Sequence, residues 1–474
     1  MSKALKIYFL PFFAGGHVIP MVNLARLMAS KGHQVTIITT PSNAKIFDKT
    51  IDDEDTCFHV HIIKFPSNQV GLPVGVENLL EAYDDQTVRQ VLMAANLIQP
   101  EIEAFMKLNP PDIFIPDMVF TWSEATTKTL GIPRLIFNPI SIFYFCMIKA
   151  NKSIDDPKEE ALLLLNDTKL DPSYVRFYES VVNSANNCDG VIVNTFLELE
   201  VEYTQLYEKL IGYKAWLIGP TSLMVQKTIG TCMNNDEHEC FSFLSSKEQN
   251  SVLYISFGSM SLLSDEQLFE IARGIEASGH QFLWVVHIKN KRRDDNTKEQ
   301  EEEEELKWLP KGFEEKTMKE KRGLIIKGWA PQVSILNHSS IGGFLTQCGW
   351  NAALETIGAG VPVITMPIFS DHYFNEKFIT EVQGFGVEVE EGGEWSLTPY
   401  DPNKKVVSRE SIEKAVKRLM DGGEERMKIR SQAKELQEKA WKAVEEGGSS
   451  QNTLTILINH LHPLILLTSE TPLC

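Results

Sequence analysis

The sequence predicts an α/β protein of two Rossmann-like domains facing each other across a cleft. Three observations predict it. The first 40 residues read as strand, glycine-bearing loop, helix and strand. The same alternation restarts after residue 250, and a polar stretch, roughly Thr221 to Asn250, separates the two halves. Continuous apolar strands alternating with helical patterns argue for parallel sheets covered on both faces. The expected domains are residues 1–235 and 236–450, with a C-terminal helix and tail, 451–474, packing back on the first domain.

Each element follows from its local pattern. "LKIYFL" is a strand-like run, and "PFFAGGHVIP" is a loop with two glycines. "MVNLARLMASKG" carries helical spacing at Met21, Leu24, Leu27 and Met28 and stops at a glycine. "HQVTIITT" is a β-branched buried strand. The pattern then repeats loosely through "FHVHIIKF", a helical region over 88–108, "PDIFIPD", "WSEATTKTLG", "IPRLIFN", "DGVIVNTF" and "YKAWLIGP". The second half runs through strand "SVLYISFGS", helix "DEQLFEIARGIEASG" and strands "QFLWVVH", "GLIIKG" and "IGGFLTQ". Helix "AALETIGAG" and strand "VPVITMP" follow. The acidic run 291–305 reads as a solvated loop. The final segment reads as long amphipathic helices.

Composition narrows the function. Of 474 residues 43% are hydrophobic and 23% charged, as in an ordinary globular protein. The formal charge of −18 argues against nucleic acid or an anionic membrane as a general partner. The seven cysteines are odd in number, lack a C-x-x-C pair and show no zinc-ligand spacing, so a reduced set is expected. "MSKALKIYFLPFF" lacks the apolar core and cleavage site of a signal peptide. No stretch reaches the ~18 apolar residues of a membrane span, and "HLHPLILLTSETPLC" is broken by Pro463. A cytoplasmic monomer is the expectation.

In open α/β sheets, ligands lie beyond the carboxyl ends of the strands. Three loops are so placed: "PFFAGGH", "FGSMS" and "QCGWN". In the third, the backbone bends at Gly349 and Asn351 is positioned to cap a new helix, whose first N–H groups suit a phosphate. Taken alone, this turn reads first as an ordinary strand–helix connection. His17, taken alone, reads as a base or as a structural hydrogen bonder. A nucleotide-dependent oxidoreductase would want G-x-G-x-x-G after the first strand, which "PFFAGGHVIP" does not provide.

The span 329–372 resembles the donor-binding signature of plant UDP-dependent glycosyltransferases. Its residues occur in order: Trp329-Ala330-Pro331-Gln332, His338, Gly342, Cys348-Gly349-Trp350-Asn351, Glu355, Gly360, Pro362, Pro367 and Asp371. "FPSNQVGLPVGVENL" and "FNEKFITEV" are similar to the subgroup that glycosylates triterpenoid sapogenins, abscisate and flavonoids. The resemblance implies the two-domain fold called GT-B, a UDP-sugar co-substrate, glucose first and galactose or a pentose second, a hydrophobic acceptor and no metal. It implies that Trp329 stacks on uracil, with Ala330 and Gln332 beside it, and that Glu355 accepts from the ribose hydroxyls. Asn351, Gly349, the adjacent backbone N–H groups and Ser259 would hold the diphosphate, while Trp350, Asp371 and His372 would face the sugar. His17 matches the family's base and Asp117 its carboxylate partner. Asp112, which starts the same strand, is the rival carboxylate at the wrong end.

Phe12, Phe13, Phe120, Trp122, Phe143 and Tyr144 are the candidates for an apolar acceptor pocket. The sequence departs from the family pattern at four donor positions. Gln347 replaces the usual His, Ala352 a Ser and Met366 a Trp, and His372 stands where Gln is common. The first two changes are expected to remove polar contacts near the phosphates. The segment 147–190 is shorter than usual. A UDP-sugar-binding protein with reduced turnover is the alternative reading.

Overall fold

The computed structural model describes residues 4–47, 57–82, 84–150, 172–185, 187–211, 214–230, 238–258, 263–286, 308–389 and 404–469. Ser259, the acidic run 291–305 and residues 151–171 of the shortened segment lie outside them. The chain divides into two compact units, residues 1–232 with 439–474, and residues 233–438.

The first unit holds β1 (Lys6–Leu10), β2 (Gln34–Thr39), β3 (Phe58–Ile62) and β4 (Ile113–Pro116), paired in the order β3-β2-β1-β4. A second sheet follows: β5 (Ile136–Asn138), β6 (Val191–Val193) and β7 (Ala215–Leu217). Single parallel bridges, Phe114 to Arg134 and Asp117 to Phe137, join β4 to β5. Every named pairing is parallel. The register sets Leu10 opposite Pro116, so β1 and β4 end level with one another. The core is the interior of these strands, with Ile7, Phe9, Ile37, Phe114 and Ile192 fully buried.

The second unit is one six-stranded parallel sheet. Its strands are β8 (Val252–Ile255), β9 (Gln281–Val286), β10 (Gly323–Lys327), β11 (Ile341–Thr346), β12 (Val363–Thr365) and β13 (Gly386–Glu388), in the order β10-β9-β8-β11-β12-β13. Renumbered from its first strand, that order is 3-2-1-4-5-6, and the first unit follows it too once the bridges are counted, with β7 added as a seventh strand. The order reverses between the first and fourth strands, and the gap left there is where doubly wound sheets bind ligands.

Several elements depart from local expectation. The first helix begins at Gly15, six residues before the predicted Met21, and runs to Ser30 with Pro20 inside it. Pro20 lacks one N–H, but the first turn is already closed by His17 and Val18 donating to the Ala14 carbonyl, each at 2.9 Å. The polar stretch 221–250 contains helices Thr221–Thr228 and Glu239–Ser245. Pro463 does not break the last helix, Ser449–Ser469, whose Ser450 hydroxyl donates to the Gly219 carbonyl. Among the described residues no helix is long and apolar enough to cross a membrane. The strand β13, Gly-Val-Glu, holds one apolar side chain and so shows no apolar run.

Candidate active site

In the first unit, β1 and β4 deliver two side chains to the same edge. After Leu10 the chain turns through Pro11–Ala14. Ala14 is extended, with φ −148° and ψ 137°, and helix Gly15–Ser30 starts behind it, placing His17 in its first turn. Asp117 directly follows β4. His17 Nδ1 lies 2.8 Å from Asp117 Oδ2. The other carboxylate oxygen accepts from Val119 N at 3.1 Å. Asp117 is wholly buried, whereas the imidazole stays 20% exposed. A carboxylate can only accept, so Nδ1 carries the proton and Nε2 presents its lone pair. Asp112 sits at the opposite end of the sheet, where its Oδ2 accepts from Lys6 N at 2.7 Å.

Aromatic rings lie to one side of this pair, reaching it through Phe12. Phe12 meets the His17 ring edge-on at 5.3 Å and Phe120 at 6.0 Å. Phe120 in turn meets Phe13 at 5.9 Å and Trp122 at 5.6 Å. Phe13 is fully buried, with Phe65 edge-on at 5.3 Å, a partner the sequence did not suggest. Phe143 and Tyr144 are buried on helix Ile142–Ala150, against Tyr203 and Phe145 respectively. Of the six aromatic candidates, Phe12, Phe13, Phe120 and Trp122 thus form one cluster that reaches His17 at Phe12, whereas Phe143 and Tyr144 pack on Tyr203 and Phe145.

The second unit answers with a turn. After β11, Gln347 is buried and its Oε1 accepts from the Thr346 hydroxyl at 2.8 Å. Its Nε2 occupies the space above Gly258, where a Cβ would come within 2.3 Å, and Gly258 has φ +67°. Only glycine meets both demands. Gln347 therefore keeps an amide at the position where a lost polar contact was expected. Cys348 is left-handed at φ +71°. Helix Trp350–Ala359 follows, with Gly349 as its N-cap. Asn351 is not the cap but the second helical residue, because the bend falls two residues earlier. The first internal bond runs from Ala353 N to the Gly349 carbonyl at 3.0 Å, so the N–H groups of Trp350–Ala352 lie in the turn before it.

Two residues of this turn pack inward. The Trp350 ring is 3% exposed and packs edge-on against Phe378 at 5.7 Å, so its indole belongs to the core and only its backbone belongs to the turn. The Ala352 methyl packs in an apolar cluster with Ala330, Tyr254 and Phe344, which explains a small apolar residue there.

Flanking groups complete the turn. Trp329 is 61% exposed, an indole face left open to solvent. Gln332 Nε2 donates to Glu355 Oε2 at 2.8 Å, and the Tyr254 hydroxyl donates to Gln332 Oε1 at 3.3 Å. Burial pushes the Glu355 carboxyl up to about 7, against the opposing pull of the Gln332 hydrogen bond. Beyond β12, Met366 is buried, Ser370 is left-handed at φ +55°, and Asp371 and His372 open helix His372–Lys377. The His372 ring is buried edge-on against Phe369 at 4.5 Å. Burial, reinforced by nearby Lys404, pushes its pKa down to about 3, so it is neutral.

Comparison with known proteins decides the family. Residues 204–422 match the family described as UDP-glucoronosyl and UDP-glucosyl transferase. A UDP-glucosyl transferase of Saponaria officinalis, 73CC6, is 40% identical over 489 residues, 97% of each chain. A UDP-glucose flavonoid 3-O-glucosyltransferase of Fragaria ananassa is 39% identical, over 98% of this chain and 97% of its own. The chain belongs to the UDP-glycosyltransferase family. Among solved structures, Glycyrrhiza uralensis UGT73P12, complexed with glycyrrhetinic acid 3-O-monoglucuronide, superposes with a TM-score of 0.85 at 34% identity. It covers 98% of this chain and 97% of its own. The fold is GT-B, and the protein is a glycosyltransferase enzyme.

This UDP-glycosyltransferase carries site features that sequence reasoning missed. Asn375 ties the turn after β11 to Asp371. Lys404 donates to the carbonyls of Pro367, at 3.3 Å, and Ile368. The close approach of Gln347 to Gly258 joins the loops after β8 and β11. A glycine after a strand was the one available signal; the partners themselves are distant in sequence.

Proposed function

We propose that this enzyme transfers glucose from UDP-glucose, with inversion, to a hydroxyl or carboxyl oxygen of a hydrophobic plant small molecule such as a triterpenoid, flavonoid or abscisate. The observation that carries the reading is the His17–Asp117 pair at 2.8 Å, with the Phe12 ring edge-on to the imidazole. Nε2 takes the acceptor's proton as its oxygen attacks the anomeric carbon. The new C–O bond forms as the bond from that carbon to the diphosphate breaks, and UDP leaves with the electron pair. Asp117 holds the tautomer and stabilises the imidazolium. An apolar surround excludes water, which would otherwise compete as acceptor.

The second-unit turn is the proposed donor site. Trp329 offers a stacking face for uracil, and Glu355 offers a carboxylate for the ribose hydroxyls. The first N–H groups of helix Trp350–Ala359 meet the diphosphate, and their partial charge stabilises it as it departs. The proposed reaction needs no metal for that reason. Relatives named for flavonoid and scopoletin glucosylation support glucose and a hydrophobic acceptor. His372, a neutral imidazole at the sugar end, favours UDP-galactose as the second reading. The free thiols among the described cysteines support a reducing cytoplasmic setting, and a monomer is proposed.

The test is a mass-spectrometric screen of UDP-glucose, UDP-galactose and UDP-xylose against triterpenoid, flavonoid and abscisate acceptors, with UDP release followed in parallel. Glycosides formed fastest from UDP-glucose are expected. A higher initial rate with UDP-galactose or UDP-xylose across the panel overturns glucose, and UDP release without glycoside overturns the acceptor class.

A further inference from the structure

Asn375 is fully buried in the first turn of helix His372–Lys377. Its side-chain nitrogen donates to the Cys348 carbonyl at 2.8 Å and to Asp371 Oδ2 at 2.8 Å. These acceptors lie on different segments, one in the turn after β11 and the other in the loop after β12. Both segments contain a non-glycine residue in the left-handed region, Cys348 at φ +71° and Ser370 at φ +55°. Such a backbone persists only where its surroundings over-determine it. An amide N–H₂ has two protons and so can satisfy two acceptors at once, which neither a hydroxyl nor a carboxylate in this position does. The bond to the carboxylate is charge-assisted and the stronger of the two.

We infer that Asn375 is the positioning residue of the donor site, coupling the turn that precedes helix Trp350–Ala359 to the carboxylate of Asp371. The inference rests on the reading above, in which that turn meets the diphosphate and Asp371 meets the transferred sugar. Asn375 touches neither group of the donor. It acts by holding Oδ2 of Asp371, which leaves Oδ1 aimed by the same bond, and by holding the Cys348 carbonyl away from the helix start, where a carbonyl dipole would repel phosphate. The two halves of the donor site then keep one spacing.

Calorimetry with UDP and with UDP-glucose, together with kcat and KM for UDP-glucose, separates the two arms. UDP reports the turn, and the ratio of UDP-glucose to UDP affinity reports Asp371. Loss of a hydrogen bond to a charged group is expected to cost Asn375→Ala about tenfold or more in UDP-glucose affinity, and less in UDP affinity. If Asn375 acts through Asp371, the ratio is already lost in Asp371→Asn and falls no further in the double variant. A merely structural role would give additive losses and leave the ratio unchanged in the single variant. Asn375→Ser, which keeps one donor, is the second variant should the alanine chain fail to fold, and it is expected to retain one arm only. Wild-type ratios and KM in folded Asn375→Ala or Asn375→Ser overturn the inference. An unchanged kcat/KM in Asp371→Asn overturns the underlying reading of Asp371 instead.

Discussion

The two units share one strand order and put opposite chemistry at its reversal point. Between β1 and β4 the first unit places an imidazole and a carboxylate joined by a hydrogen bond. Between β8 and β11 the second unit places Gly258, Gln347, Cys348 and Gly349, backbone and a neutral amide, followed by a helix start. The difference teaches that topology supplies the location and the loop residues supply the chemistry. A titratable pair suits proton removal. A helix start behind glycine suits a ligand whose charge must be met without a proton in transit.

The sharpest way to break this comparison is to remove the titrating member. His17→Ala is expected to lower kcat by about 10²–10⁴ while leaving UDP affinity near wild type. Initial rates and calorimetry on the same preparation check it, and comparable losses in both would erase the division of labour. Asp117→Asn should fall by a similar or smaller factor, since it acts through the imidazole.

Gly258→Ala probes the backbone side. A methyl there meets Gln347 Nε2 within 2.3 Å and a φ of +67°, so a loss of about 1–3 kcal/mol in stability is expected, with a raised KM for UDP-glucose. Adding Gln347→Ala clears the space and should restore part of the melting temperature. No restoration would show that the strain lies in the backbone alone.

The pH dependence of UDP binding tests Glu355. Its carboxyl stands near 7 in the free protein, and ribose hydroxyls donate best to the ionised form. Binding therefore favours the deprotonated state. Affinity is full above pH 7 and declines as the pH drops through 7, approaching about tenfold per pH unit well below it. Glu355→Gln should flatten that profile, and a wild-type profile level from pH 8 to 5.5 would remove Glu355 from the ribose contact.

The smallest effect is expected at the sugar. His372→Gln replaces a buried neutral ring with an amide and should shift the UDP-glucose to UDP-galactose rate ratio by about 1–3 kcal/mol at most. Parallel initial rates decide it, and an unchanged ratio means that His372 does not read the sugar.

Much of the fold was legible locally. Apolar runs gave all but β13 of the thirteen strands among the described residues, and glycines marked the helix ends at Gly131, Gly279 and Gly360, each left-handed at the C-cap. The first helix was misplaced by six residues because Pro20 and two glycines read as loop, whereas a first turn needs only the Ala14 carbonyl. Asn351 looked like a cap by residue type, yet the cap falls where the backbone bends, at Gly349. Residue type also could not tell Trp350, packed on Phe378, from Trp329, open to solvent.

By itself the sequence determined the order of strands and helices, the glycines at the turns, and the presence of His17, Asp117 and the 329–372 signature. Tertiary structure alone decided which groups meet. His17 and Asp117 stand 100 residues apart and touch because parallel register ends β1 and β4 at one level. The raised Glu355 carboxyl, the neutral His372 ring and the hydrogen bond from Asn375 to the Cys348 carbonyl arise the same way. Burial and hydrogen-bond distance depend on neighbours in space, and no window along the chain contains them.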